Sequence, residues 1–533
     1  MKTFSPKILI VLLSLLVWSC QKDDDDTEII PMSPSSPTVN QVSMQEMTMN
    51  EGLKVINNPS GFAPLTAEIS FQTNSNANSE ITILGSQSIY HSFEENSKTH
   101  KLDIVGLYPG IENQVVLKVS TANSYALDTV KIITDSLPGY FPDVTVEAYS
   151  PSLVEEGWVL YNLHLTDGTL FRSYPTIIDN EGVIRWFLNF ETPSFPGLAL
   201  PVELTQENTL LFTTEDYIKE FNFMGYEEKS VPIPSVYTGH HDVIKKGSNY
   251  ILCVAKENTP VVQNGSTVES IDDHIIELNS IGTVVREWDF REILDVDRSD
   301  IIVPLQADWF HMNAVYYSES DNTLLVSGRN QGIIKVDMKN NLKWILHPHK
   351  DWGNAGFDGS GPDTKPFLLT AIDGSGNAYD SLVQYGYNNV PDFGWNWGQH
   401  APLILPNGNL FLFDNGANRN YQQGTYSRAV EYKIDEENMT VQQVWQYGKE
   451  RGNETYSEII SDVDYLEETG NILFAPGIIG SVWGVAPNST KVVEVSRPGG
   501  TVVFEATLHF KNERITQGSF DMSYRAEKVK LYH

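Results

Sequence analysis

Cysteine is almost absent from this chain: 533 residues include only Cys20 and Cys253. Cys253 lies in the apolar strand Ile251-Leu252-Cys253-Val254 and reads as a buried, inert thiol. With Cys20 assigned to another use below, no internal disulfide is left in the mature chain. Basic residues are scarce as well, 36 Lys and Arg against 69 Asp and Glu, for a formal net charge of −33. Phosphate binding needs a basic footprint, so nucleic acid is excluded as a partner; the acidity reads as solubility outside the cell. Long hydrophobic runs are missing too, since the apolar stretch from Ile8 to Val17 is too short to cross a bilayer.

That short stretch follows Lys2 and Lys7 and reads as a secretory signal peptide, residues 1–19. It ends at Val17-Trp18-Ser19-Cys20, which resembles a bacterial lipobox, so Cys20 is expected to carry lipid. The acidic run Gln21 to Asp26 resembles the export tag of surface lipoproteins. The expectation is an outer-membrane lipoprotein on the periplasmic or cell-surface side, held by its lipid anchor only. Residues 20–42 form a Pro- and Ser-rich linker without apolar periodicity.

Residues 43–136 show short alternating strands such as Ala67-Glu68-Ile69-Ser70-Phe71 and predict a small β-sandwich. The turn Leu107 to Asn113 resembles a fibronectin type III corner, with Asn113 where that pattern has tyrosine. From residue 140 to 533 a different pattern repeats. A strand, polar turn and strand recur six times, in phrases starting at Ile177, Glu220, Ile275, Ile334, Val430 and Val492, four of them reaching Trp186, Trp288, Trp344 and Trp445. Six copies predict an all-β, six-bladed propeller.

A second phrase places a histidine ahead of an apolar strand, at His240, His311 and His400, with Ser461 at the fourth copy. In a propeller one register position repeated in several blades becomes a ring about the axis, so these side chains are expected to converge. A metal site, a nucleophile or acid/base centre, and a structural hydrogen-bond ring are all open to three histidines. Arg329 ends the strand after His311 and Lys256 sits at the matching place in the His240 blade, which favours an anionic ligand over a metal. No cofactor is expected. The segment 347–399 is the longest interruption, and because Phe393, Trp395 and Trp397 lead directly into His400, part of it is expected to roof the channel.

The phrases Asp308 to Asn313, Ser327-Gly328-Arg329, Gln399 to Pro402, Asn407-Gly408-Asn409, Asp414-Asn415-Gly416, and Ser427-Arg428 through Val444 to Gly448 resemble the bacterial aryl sulfate sulfotransferases. The resemblance implies transfer of a sulfuryl group from a phenolic sulfate ester to a phenol without a nucleotide donor. It implies His400 as nucleophile, His311 and Arg329 as catalytic partners, and His240, Asn313 and Ser461 as sulfate-binding residues. The first of these falls within His240-His241, and the repeat alignment selects His240. Two other readings stay open: a surface propeller that binds a sulfated or anionic ligand without chemistry, and an aryl sulfate hydrolase. Oligomeric state is open as well, a homodimer included.

Overall fold

The computed structural model describes residues 39–49, 52–166, 171–190, 198–298, 308–480, 488–511 and 520–532. The signal peptide, Cys20 and the acidic run lie outside them. No helix among the described residues is long and apolar enough to cross a membrane.

The N-terminal part is one six-stranded sheet folded over itself. Strand Thr66–Ile83 runs antiparallel to Ile89–Val105 along their length, while its two halves pair on the other side with Lys54–Asn57 and Glu112–Ser120. Inward residues at period two, among them Leu65, Ala67, Ile69 and Phe71, meet Leu102, Ile104, Val115 and Leu117 in one core. Asn113 bonds Tyr108 twice, its Oδ1 accepting from the amide at 2.8 Å and its Nδ2 donating to the carbonyl at 3.0 Å.

Residues from 143 onward form six sheets arranged as the blades of a propeller. The innermost strands are Met522–Val529, Leu200–Leu204, Thr238–Lys246, Met312–Ser318, His400–Ile404 and Asp462–Tyr465, and each touches the next around a closed ring. The ends of the chain close that ring. Met522–Val529 supplies the inner strand of blade 1 by pairing with Trp158–Thr166, and Asp143–Tyr149 adds an outer strand to blade 6.

The repeated outer phrase explains the blade geometry. Every outer hairpin turns through one left-handed residue, Gly182, Gly225, Gly282, Asn340, Met439 or Gly500. Glycine fills four of these six because only it adopts that conformation without a steric penalty. The tryptophans then join neighbours. Trp186 Nε1 donates to Phe223 O, Trp288 to Asp337 O, Trp344 to Glu436 Oε1 and Trp445 to Pro498 O, each partner lying in the outer turn of the following blade. A buried indole with its N–H satisfied combines large apolar burial with fixed orientation, and truncating one costs about 3–5 kcal/mol.

The segment 347–399 turns its aromatics inward. Phe393, Trp395 and Trp397 are buried, packed with Leu346, Leu369, Leu412 and Tyr432 between blades 4 and 5 rather than over the channel. Three large rings stabilise more when removed from water than when lining a wet opening. Cys253 is fully buried, and burial pushes its thiol well above the ordinary range.

Candidate active site

The site forms where the inner strands of blades 3, 4 and 5 begin, and each begins with a bulge. In blade 5, His400 pairs with Phe413 and Leu403 with Phe411, so Ala401 and Pro402 together face one residue. Proline suits that place because a bulge leaves its nitrogen without a ladder partner. In blade 4, Met312 pairs with Gly328 and Ala314 with Ser327, leaving Asn313 extra. Blade 3 carries one residue more: between the pairs Gly239 with Val254 and Val243 with Leu252 lie His240, His241 and Asp242. At these strand starts His241, His311 and Ala401 hold left-handed backbone, with φ of 52°, 52° and 49°. Such conformations are costly outside glycine and collect where side chains must be re-aimed.

The extra residue settles which histidine faces the others. His241 feels the charges of His311, His400 and Arg329, and its ring centre lies 5.4 Å from that of His311. His240, the residue selected by the repeat alignment, lies behind it, with Nδ1 2.9 Å from His241 Nδ1 and Nε2 3.2 Å from Asp273 Oδ1. The expectation of His240 in the ring is corrected to His241. Burial, followed by those neighbouring cations and rings, pushes His241 well below the ordinary histidine range.

His400 is held in one tautomer. Asn415 Nδ2 donates to the carbonyls of Ser457 and Ile460, both at 2.8 Å, so its Oδ1 is left as an acceptor toward His400 Nδ1 at 2.8 Å. Gly398 O accepts from the same Nδ1 at 3.1 Å. The proton therefore resides on Nδ1, and Nε2 presents its lone pair, to which Asn313 Nδ2 donates at 3.1 Å. Burial pushes His400 down to about 3, against the support of Asn415 and with Arg329 and His311 adding to the depression. The imidazole is neutral at every physiological pH.

His311 has the opposite surroundings. Its Nδ1 donates to Asp308 Oδ2 at 2.5 Å, leaving Nε2 toward the site. Burial works to raise Asp308, but the hydrogen bond and charge of His311, with His240 and Arg329, hold it below the usual carboxylate value. The Arg329 amide donates to His311 O at 2.9 Å, while its guanidinium has no hydrogen bond or ion pair among the described residues. An unpaired, half-buried guanidinium beside neutral imidazoles is an anion site. Tyr524, whose hydroxyl donates to Asn313 O at 3.4 Å, and Tyr456, pushed up to about 12 by burial, flank it.

Two expected members are elsewhere. Lys256 Nζ pairs with Glu287 and lies 4.9 Å from the Tyr237 ring centre. Among the described residues of the site, Arg329 supplies the unpaired cation. Ser461 Oγ donates to Ser457 Oγ at 2.8 Å and accepts from the Gly477 amide at 3.0 Å, which engages it one layer behind Asn415. Asp308, Asn415 and Asp273 were not singled out from sequence, although the first two lie in the quoted phrases. Asp272, His274 and Asp289 form a second acid and histidine cluster, but Arg291 bridges its two carboxylates at 2.6 and 2.8 Å.

The arylsulfotransferase family model matches residues 143–525, and the model of the arylsulfotransferase Ig-like domain matches residues 54–135. This chain belongs to the arylsulfotransferase family. It is an enzyme of that class, with small aryl sulfates and phenols as the family's substrates. The arylsulfate sulfotransferase AssT of Escherichia coli O6:H1 is 27% identical over 518 residues, covering 79% of this chain and 84% of that protein. The protein of the same name from Lelliottia amnigena is 28% identical over 467 residues, covering 76% of each. Among solved structures, a protein of unknown function from Bacteroides caccae covers 69% of this chain and 97% of its own, at 12% identity and a TM-score of 0.39, too loose a superposition to carry an argument.

Proposed function

We propose that the protein transfers a sulfuryl group from a phenolic sulfate ester to a phenol in two steps through a sulfohistidine at His400, with no nucleotide donor. One observation carries the reading: Asn415 fixes the proton on Nδ1, so His400 offers a neutral Nε2 lone pair beside the unpaired Arg329. In the first step Nε2 attacks sulfur and the bond from sulfur to the aryl oxygen breaks. His311, oriented by Asp308, gives its proton to the departing phenolate. In the second step the acceptor phenol returns a proton to His311 as its oxygen attacks sulfur, and the nitrogen–sulfur bond breaks. Arg329, His241 and Asn313 face the sulfuryl oxygens as charge redistributes, the arrangement that stabilises such a transition state. Ser461 acts only through Ser457 and the loop that holds Asn415. The protein works at the outer membrane, on its periplasmic or cell-surface side, anchored through lipid on Cys20.

The test is to mix the protein with 4-nitrophenyl sulfate and follow 4-nitrophenolate release with and without added phenol. A burst equal to the enzyme concentration is expected, with turnover rising with phenol, and His400→Ala abolishes the burst. The adduct, examined by mass spectrometry without acid, maps to His400. Transfer at near wild-type rate in His400→Ala, or an adduct on another side chain, sinks the mechanism, and release that ignores phenol turns the reading into hydrolysis.

A further inference from the structure

Behind His241 lies a pair of groups that sulfuryl transfer does not use. His240 Nδ1 and His241 Nδ1 approach at 2.9 Å, so one of these nitrogens carries a hydrogen and the other a lone pair. On the far side of His240, Nε2 lies 3.2 Å from Asp273 Oδ1, off the N–H axis, and is buried with no hydrogen bond in place. Asp273 is itself buried and fixed by the Met312 amide, which donates to its Oδ2 at 2.6 Å. A carboxylate only accepts, so Nε2 of His240 carries hydrogen. The protonation of His240 then decides what His241 presents to the site.

When His240 is neutral, its Nδ1 is a lone pair and accepts from His241 Nδ1–H, leaving His241 Nε2 as a bare acceptor. When His240 is an imidazolium, its Nδ1–H donates instead, His241 Nδ1 accepts, and His241 Nε2 carries a hydrogen toward the site. An anion is repelled by the first arrangement and bonded by the second.

We propose that His240 and Asp273 form a proton-coupled positioning pair: binding of a sulfate group draws one proton from solvent, which turns His241 from acceptor into donor. The proton adds at His241 Nε2, the hydrogen of His241 Nδ1 passes to His240 Nδ1, and the positive charge rests on His240 against Asp273. No bond of the ligand changes. His241 stays neutral in both states, consistent with its depression by burial and by the charges around it. The groups facing the pair are Asp273 from strand Ser266–Leu278, Asp308 ahead of strand Met312–Ser318, and, across His241, His311, His400, Arg329 and Tyr524. The proposal rests on the site binding sulfate esters but not on transfer through His400.

Inorganic sulfate, which binds without turnover, tests it by titration calorimetry at one pH above the histidine range (~8) in buffers of different ionisation enthalpy. The slope of observed heat against buffer enthalpy gives the protons taken up. About one proton is expected for the wild type, with sulfate affinity falling as pH rises. The uptake is lost in His240→Gln and in Asp273→Asn, and it survives in His311→Gln. No uptake in the wild type, or loss in His311→Gln with retention in His240→Gln, overturns the proposal. Proton-linked sulfate binding in a protein that fails to transfer sulfuryl groups leaves it standing and removes the transfer mechanism instead.

Discussion

Replacing Asp308 by Asn isolates the acid/base role of His311. The carboxylate accepts from Nδ1 at 2.5 Å, and an amide oxygen can accept in the same place, so orientation survives while the negative charge is lost. A hydrogen bond to a charged group contributes about 1.5–3 kcal/mol against about 1 kcal/mol for a neutral pair. Side-chain exposures of 29% and 27% place both partners partly in solvent, which favours a difference near the lower end, about 1 kcal/mol. That corresponds to a rate loss of roughly fivefold. The loss must depend on the leaving group. Unsubstituted phenol, with a pKa of about 10 like tyrosine, needs the proton from His311, whereas 4-nitrophenolate departs without it. The assay is transfer from phenyl sulfate and from 4-nitrophenyl sulfate under single-turnover conditions. The expected loss in Asp308→Asn is about fivefold for phenyl sulfate and near unity for 4-nitrophenyl sulfate. An equal loss for both donors refutes the general-acid assignment, because it places the defect in sulfate binding.

The depression of His400 to about 3, caused first by burial, fixes a pH profile. Because the free base persists above that value, the burst with 4-nitrophenyl sulfate should keep its amplitude between about pH 5 and pH 8, whereas a burst that titrates near the ordinary histidine value of about 6.5 argues for another nucleophile. Cys20→Ala should release soluble protein from membranes in cell fractionation; continued membrane attachment counts against the lipid anchor.

The blades were legible because each is stated locally and stated again. The outer turn needs one left-handed residue and the tryptophan reaches the next turn, and both requirements lie within a single phrase of sequence. The convergence of the histidines followed from the same repetition. What sequence misplaced depends on ladder register and on contacts between distant segments. His240 and His241 exchange roles because the bulge of blade 3 has one residue more than those of blades 4 and 5, a count that only the pairing of Gly239 and Val243 reveals. Lys256 follows the apolar strand much as Arg329 does, but its strand continues to Gln263 and brings it against Glu287. Asn415 takes its meaning from Ser457 and Ile460 in blade 6, which no local pattern announces.

A chain of net charge −33 that receives an anion needs its local field to oppose its total. Screening limits the distant carboxylates, since the Debye length at physiological salt is about 8 Å. The nearby ones are handled individually. Asp308 is paired with His311, and Asp273 lies against His240. On the floor of the site, a cavity of about 400 Å³ includes Asp242, Asp462, Asp464, Glu527 and Arg525 in its lining. Burial pushes Asp242 up to about 7, Asp464 up to about 6 and Glu527 up to about 8, and raises Asp462 well above the ordinary carboxylate range, so this cluster carries less negative charge near neutral pH than its four carboxyls would in water. Asp242 Oδ2 also accepts from Arg525 at 2.9 Å and from the Val315 amide at 2.8 Å, which ties blades 1, 3 and 4 together. Burial thus serves both sides of the site: it lowers the negative charge of the floor and keeps His400 a free base above it. Among the described residues Arg329 is left unpaired at the centre, and the sign it carries is the one an aryl sulfate requires.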